Sequence, residues 1–212
     1  MKPFTAKTPL AFCLAALLSL GGCMSVLQSS APAATTYALH AGPEKARSQA
    51  RGVMAVEEPT LPAGFETDQI ALFLDGGRRL DYYAGARWAA PLDHVLHDIV
   101  VASGRGALPK MIVDTPDLNI PTDYRLSVRF AKFAPVYAGA ADTPPVLKVA
   151  ATFTLVRIPQ QAVLADFTLE QTQAAAANNL GAVAAGLEGL LHGVLDEGFG
   201  KIAAALPKAP KK

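Results

Sequence analysis

The chain has 212 residues, with 19 Lys and Arg against 18 Asp and Glu, so its formal net charge is +1. That length suits one domain with a sizeable core. Nucleic-acid binding requires a concentrated basic footprint, and the only basic cluster is the short tail Lys208, Lys211 and Lys212, so that class is excluded.

The first element is an export signal. Met1 to Thr8 carries Lys2 and Lys7 and no acid, and Leu10 to Leu20 is apolar except for Ser19. Such a run fits a signal-peptide core and is too short to span a bilayer as a helix. It ends in Leu20-Gly21-Gly22-Cys23, which resembles a lipobox. Residues 1–22 are therefore expected to be removed and Cys23 to take a thioether-linked diacylglycerol. Two or three acyl chains hold a protein durably, since each buried CH₂ contributes ~0.8 kcal/mol. Met24 follows the cysteine. In similar lipoproteins an Asp there favours the inner membrane, so the expected location is the outer membrane, facing the periplasm. Cys13 is the only other cysteine and leaves with the signal, so no disulfide or cysteine metal site is expected. Without its two signal lysines the mature chain has 17 basic residues against 18 acids, a net of −1.

Residues 23–35 are rich in Ser, Ala and Pro and read as a lipidated tether. The domain is expected over 36–206. Short strands are predicted at Thr36–Leu39 and Gly52–Val56. Gln69–Leu74 and Arg78–Ala84 form a predicted hairpin around Asp75-Gly76-Gly77. A helix is expected to open near Ala86 and to run to about Ala102. In it Trp88, Leu92, Val95, Leu96 and Ile99 make one buried face, and Ser103-Gly104-Arg105-Gly106 is the stop. A strand follows at Lys110–Asp114. Alternation then predicts three longer strands around Tyr124–Phe130, Leu147–Leu155 and Val163–Leu169, forming an antiparallel meander covered on one side. The cover is the Ala- and Gly-rich segment Ala174–Leu206. Its six glycines, from Gly181 to Gly200, invite a kink. The expectation is an α+β single domain: a mostly antiparallel sheet under an amphipathic helix and a long C-terminal helix, with a basic tail at 207–212.

Chemistry is sparse. His94 and His97 lie one helical turn apart, as metal ligands can, with Asp93 or Asp98 as possible thirds. A pair on a wet helix face is usually surface, so no metal and no cofactor is expected. Asp75-Gly76-Gly77 is better explained by turn chemistry than by calcium or phosphate binding. Ser103 and Ser127 sit in no nucleophile elbow, and the adjacent Glu57 and Glu58 read as solvated loop acids. An enzyme is disfavoured. The patch with most promise combines arginines and aromatics. Tyr82 and Trp88 are expected in the core, whereas Arg79, Tyr83 and Arg87 face outward as a partner-binding surface, since Arg and Tyr are enriched at binding hot spots.

These features together resemble a family. The lipobox Cys23 is followed by Tyr37-x-Leu39, the Ile70–Leu74 strand, Leu80-x-Tyr82-Tyr83 and Arg87-Trp88-Ala89-Ala90-Pro91-Leu92. Then come the Val149–Arg157 strand, a hairpin, Phe167 and an Ala-rich terminal helix. Over Thr36 to Leu206 the chain resembles the auxiliary lipoproteins of ABC-type intermembrane lipid transport, a group that includes the lipoprotein of the paraquat-inducible system. The resemblance implies an α+β domain at the outer membrane. It also implies partnership with an MCE-domain protein fed by an ABC permease and ATPase, and a non-enzymatic docking or receiving role in lipid movement. Lipid contact and homo-oligomerisation stay open. The alternative is a periplasmic carrier that itself holds lipid or lipopolysaccharide, and a periplasmic hydrolase ranks last.

Overall fold

The computed structural model describes residues 33–116, 120–139 and 143–207. The described fold falls in the compact unit Ala34–Lys212. Cys23, the signal segment and most of the tether and tail lie outside the described residues.

In chain order the elements are β1 (Thr35–Tyr37), β2 (Gly52–Val56), β3 (Gln69–Leu74), β4 (Arg79–Trp88), α1 (Leu92–Ala107), β5 (Met111–Asp114), β6 (Tyr124–Val136), β7 (Val146–Arg157), β8 (Ala162–Ala174) and α2 (Leu180–Ala205). The domain is α+β, as expected, with one mixed sheet. The antiparallel meander β6-β7-β8 is its broad half. The other half forks. The start of β6 pairs with β2, which carries β5, and both pairings are parallel. The end of β6 meets β3 through Phe73 and Val136. Thr60 bridges to Arg129 between the two branches. β3 and β4 are antiparallel, and β1 adds in parallel to β4.

Alternation explains which face is buried. Leu126, Val128 and Phe130 of β6 and Leu147, Val149, Phe153 and Leu155 of β7 are all at most 1% exposed. They turn toward the helices, while Arg125 and Arg129 face water. A bulge between Phe130 and Lys132 shifts the phase by one residue, so Phe133 rather than Lys132 points inward. Phe133 meets Phe130 edge-on, with ring centroids 6.3 Å apart, and Trp88 at the same distance. α2 packs over β7 and β8 and touches α1. The space beneath it is filled by Val183, Leu187, Leu191, Val194, Phe199 and Ile202.

Three expectations are corrected. The return strand does not stop at Ala84, and no helix opens at Ala86: β4 continues to Trp88. Two neighbours hold it extended. Tyr37 pairs with Trp88, and the Trp88 N–H donates to the Asp68 carbonyl at 2.7 Å. Trp88 is buried as expected, but from the strand. Pro91, with ψ 136°, lies just outside α1, which begins at Leu92.

The second correction concerns the stop of α1. The helix runs through Gly104 and Gly106 to Ala107. A Cβ on Gly104 would sit 2.9 Å from Val113 Cγ1 and 3.1 Å from the Phe199 ring. That glycine is therefore a point of close approach rather than a terminator. The third concerns α2, which spans 26 residues without a break. Gly186, Gly193 and Gly198 are where Leu147, Gln171 and Phe153 press against the helix backbone. Packing there outweighs the weak propensity of up to ~1 kcal/mol per glycine.

Candidate functional site

β4 carries the residues singled out as a partner surface. Its register against β3 runs from Gln69 opposite Arg87 to Ala71 opposite Tyr82, so β4 holds extra residues between them. Gly85, with φ +68°, adopts the left-handed conformation this bulge requires. The bulge breaks strict alternation and decides where each side chain goes. Arg79 and Arg87 remain exposed near the two ends of the strand. Arg79 Nε lies 3.6 Å from Asp75 Oδ2 and Arg87 lies 3.8 Å from Asp68 Oδ2. Solvent screens pairs this open, so neither holds its guanidinium group firmly.

Tyr83 does not face outward with them. It is half-buried against the core, and its hydroxyl shares a 2.7 Å hydrogen bond with that of Tyr137. Tyr137 in turn donates to Asn178 Oδ1 at 3.2 Å. Burial, and then the bond to Tyr137, push the Tyr83 phenol well above its ordinary ionisation range. The chain of three polar groups links β4, the end of β6 and the approach to α2. Tyr82 is also part-buried, and its hydroxyl donates to the Gly64 carbonyl at 2.8 Å, holding the β2–β3 connection over the strand.

The two histidines weighed as ligands do not act together. His97 Nε2 is taken by the Val56 carbonyl at 3.1 Å. His94 Nε2 turns instead to Glu58 Oε1 at 3.2 Å and Asp93 Oδ2 at 3.9 Å. No sequence signal connects Glu58 to His94: the two meet only because the segment after β2 crosses the start of α1. A cleft of about 430 Å³ beside them is also lined by His97, Asp98, Thr115 and Pro116.

The segment between β1 and β2 is strapped to α2. The His40 N–H donates to Glu188 at 3.3 Å, and His192 Nε2 meets the His40 carbonyl at 2.8 Å. Asp196 receives Lys45 Nζ at 3.3 Å together with Arg47. The Arg47 hydrogen bond is the main reason its carboxyl is held below the usual aspartate range.

These features define a small α+β domain with one sheet face roofed by two helices and polar surface clefts. Ser103 and Ser127, the serines weighed for catalysis, lie apart in α1 and β6. The chain belongs to the family of ABC-type transport auxiliary lipoprotein components, whose family model matches residues 37–197. Among solved structures it is similar to protein XCC0632 from Xanthomonas campestris. The two are 25% identical, with a TM-score of 0.69, over 81% of this chain and 96% of that one. It also shares its fold with an uncharacterized protein at 17% identity and TM-score 0.61, over 82% and 98% of the two chains. None of the curated proteins matches.

Proposed function

We propose that this protein is the lipid-anchored, non-enzymatic auxiliary component of an ABC-type transporter that moves lipid between membranes. It would be held at the periplasmic face of the outer membrane through Cys23 and would dock an MCE-domain partner. The observation that carries this reading is the family match over residues 37–197, together with the lipobox Leu20-Gly21-Gly22-Cys23. The fold is consistent with docking rather than carriage of lipid. The space between sheet and helices is occupied by Phe130, Phe133, Phe153 and Phe199, each at most 2% exposed, which leaves little room for an acyl chain at that interface. Arg79 and Arg87 supply the exposed charge of the docking strand, and Tyr83 fixes the strand from behind.

The test is capture of the tagged lipoprotein from crosslinked native membranes, with partners identified by mass spectrometry. Recovery of an MCE-domain protein, reduced by the double change Arg79→Ala and Arg87→Ala, supports both the role and the surface. Recovery that ignores those arginines keeps the role and moves the interface. Stoichiometric lipid on the purified domain, with no MCE partner, overturns the reading in favour of a carrier.

A further inference from the structure

We infer that Glu58, Asp93 and His94 form a binding site for a divalent transition-metal ion, with zinc the best fit. Their donor atoms, one per residue, all lie within 4.8 Å of one another. His94 Nε2 stands 3.2 Å from Glu58 Oε1 and 3.9 Å from Asp93 Oδ2. A tetrahedral ion bound at about 2.0–2.2 Å by nitrogen and oxygen ligands separates its donors by roughly 3.3–3.6 Å. The two separations from His94 bracket that range, and the Glu58–Asp93 separation is within 4.8 Å.

The backbone already holds the three residues in place. Asp93 and His94 are consecutive in the first turn of α1, whose start is fixed by the Leu92 N–H bonding the Thr67 carbonyl at 3.1 Å. Glu58 is pinned on both sides. The Glu57 N–H donates to the Leu126 carbonyl at 2.9 Å, and the Thr60 N–H to the Val128 carbonyl at 3.3 Å. Arg125 is 3.2 Å from Glu57, which leaves Glu58 as the acid that turns to the helix.

A second observation concerns the Asp93 carboxylate, whose side chain is 19% exposed. Asp93 Oδ1 is buried and has no hydrogen-bond partner, and it is the one side-chain oxygen or nitrogen among the described residues found in that state. A buried carboxylate oxygen without a donor is costly and calls for an ion or a water. A cation held between Asp93, Glu58 and His94, with one donor atom from each, would neutralise that carboxylate.

The donor set selects the metal. One imidazole and two carboxylates suit zinc and its first-row neighbours. Calcium and magnesium want six or more oxygens, and copper(I) wants sulfur. The adjacent cleft leaves the fourth position to water. The bound ion would staple the β2–β3 connection to α1. His97 is not part of the set, because its Nε2 is engaged with Val56.

The experiment uses the full-length lipoprotein in detergent micelles, stripped of metal by a chelator. Zinc is titrated by calorimetry and cobalt(II) by visible absorption. The expected result is one equivalent of zinc, and cobalt d–d bands of a four- or five-coordinate ion. Changes outside the ligand shell alone weaken metal sites about 10–100-fold. Glu58→Gln and His94→Ala should therefore each weaken binding by at least about tenfold, while His40→Ala, on a remote exposed histidine, leaves it unchanged. Should His94→Ala fail to fold, the near-isosteric Glu58→Gln decides alone. Absence of saturable zinc binding, or binding equally tight in Glu58→Gln and the unchanged protein, overturns the proposal.

Discussion

Replacing Gly198 by alanine tests whether α2 is held by close packing at its glycines. A Cβ there would lie 2.6, 2.8 and 3.0 Å from three atoms of the Phe153 ring, well inside ordinary van der Waals contact. The ring cannot retreat. Phe153 is fully buried and stacks on Phe167 with centroids 5.3 Å apart and planes 15° from parallel. The helix backbone must move instead. Overpacking of this kind costs about 1–3 kcal/mol, and the rigid ring places this site near the upper end. Alanine returns roughly 1 kcal/mol of helix propensity, so the net loss is about 2 kcal/mol. Gly189 and Gly200 are the controls, since a Cβ at either meets nothing within 4 Å. Gly189→Ala should therefore gain up to about 1 kcal/mol. For a chain of this size each kcal/mol moves Tm by roughly 2–4 °C. Urea titration followed by far-UV circular dichroism, with matched m-values, reads both changes. If Gly198→Ala is as stable as the parent, or if Gly189→Ala is the more damaging of the two, the close-packing account of α2 fails.

Three further outcomes follow from the geometry. Asn179 caps α2 by accepting the Ala182 N–H at 2.9 Å, so Asn179→Ala should lower stability by about 1 kcal/mol in the same titration. Asp196 has a depressed folded pKa because of Arg47. The stability it lends is present above the unfolded aspartate value of about 3.9 and is lost as pH falls through the folded one. Asp196→Asn should flatten that acid limb in a Tm-versus-pH series, and it should cost only about 0.2–1 kcal/mol at neutral pH, because the pair is solvent-screened. Tyr83 is shifted the other way, its neutral phenol favoured by burial and by Tyr137. Its contribution is complete below the unfolded tyrosine value of about 10 and is lost as pH rises toward the folded one. Absorbance titration should show Tyr83 ionising only with alkaline unfolding, and Tyr83→Phe should remove that late step.

The alternation of Leu126, Val128 and Phe130, and of Val149, Ala151 and Phe153, made the meander legible, because a half-buried strand writes its two faces directly into sequence. The apolar content of Leu180–Ile202 likewise marked a covering helix. The full length of β4 is hidden from local sequence for a physical reason. Arg87 and Trp88 look like the start of an amphipathic helix when only local spacing is considered, yet pairing with Tyr37 and Gln69 holds them extended. The glycines of α2 mislead on similar grounds: propensity is local, whereas Phe153 and Leu147 reach them from distant strands. In the candidate site, the exposure of Arg79 and Arg87 was readable from their charge. The inward turn of Tyr83 was not, since it depends on the bulge at Gly85. The meeting of Glu58 with His94 depends on topology alone.

β8 pairs only with β7 among the described residues, which leaves a 13-residue strand with one open row of backbone donors and acceptors. Such an edge invites a second copy to add itself in solution. A two-fold antiparallel addition centred on Thr168 would set Asp166 of each molecule against Glu170 of the other, and like charges directly opposite are repulsive. In that register the two acids oppose pairing along this edge. Two copies of this lipoprotein on one membrane surface would therefore find edge-to-edge pairing of β8 in that register disfavoured.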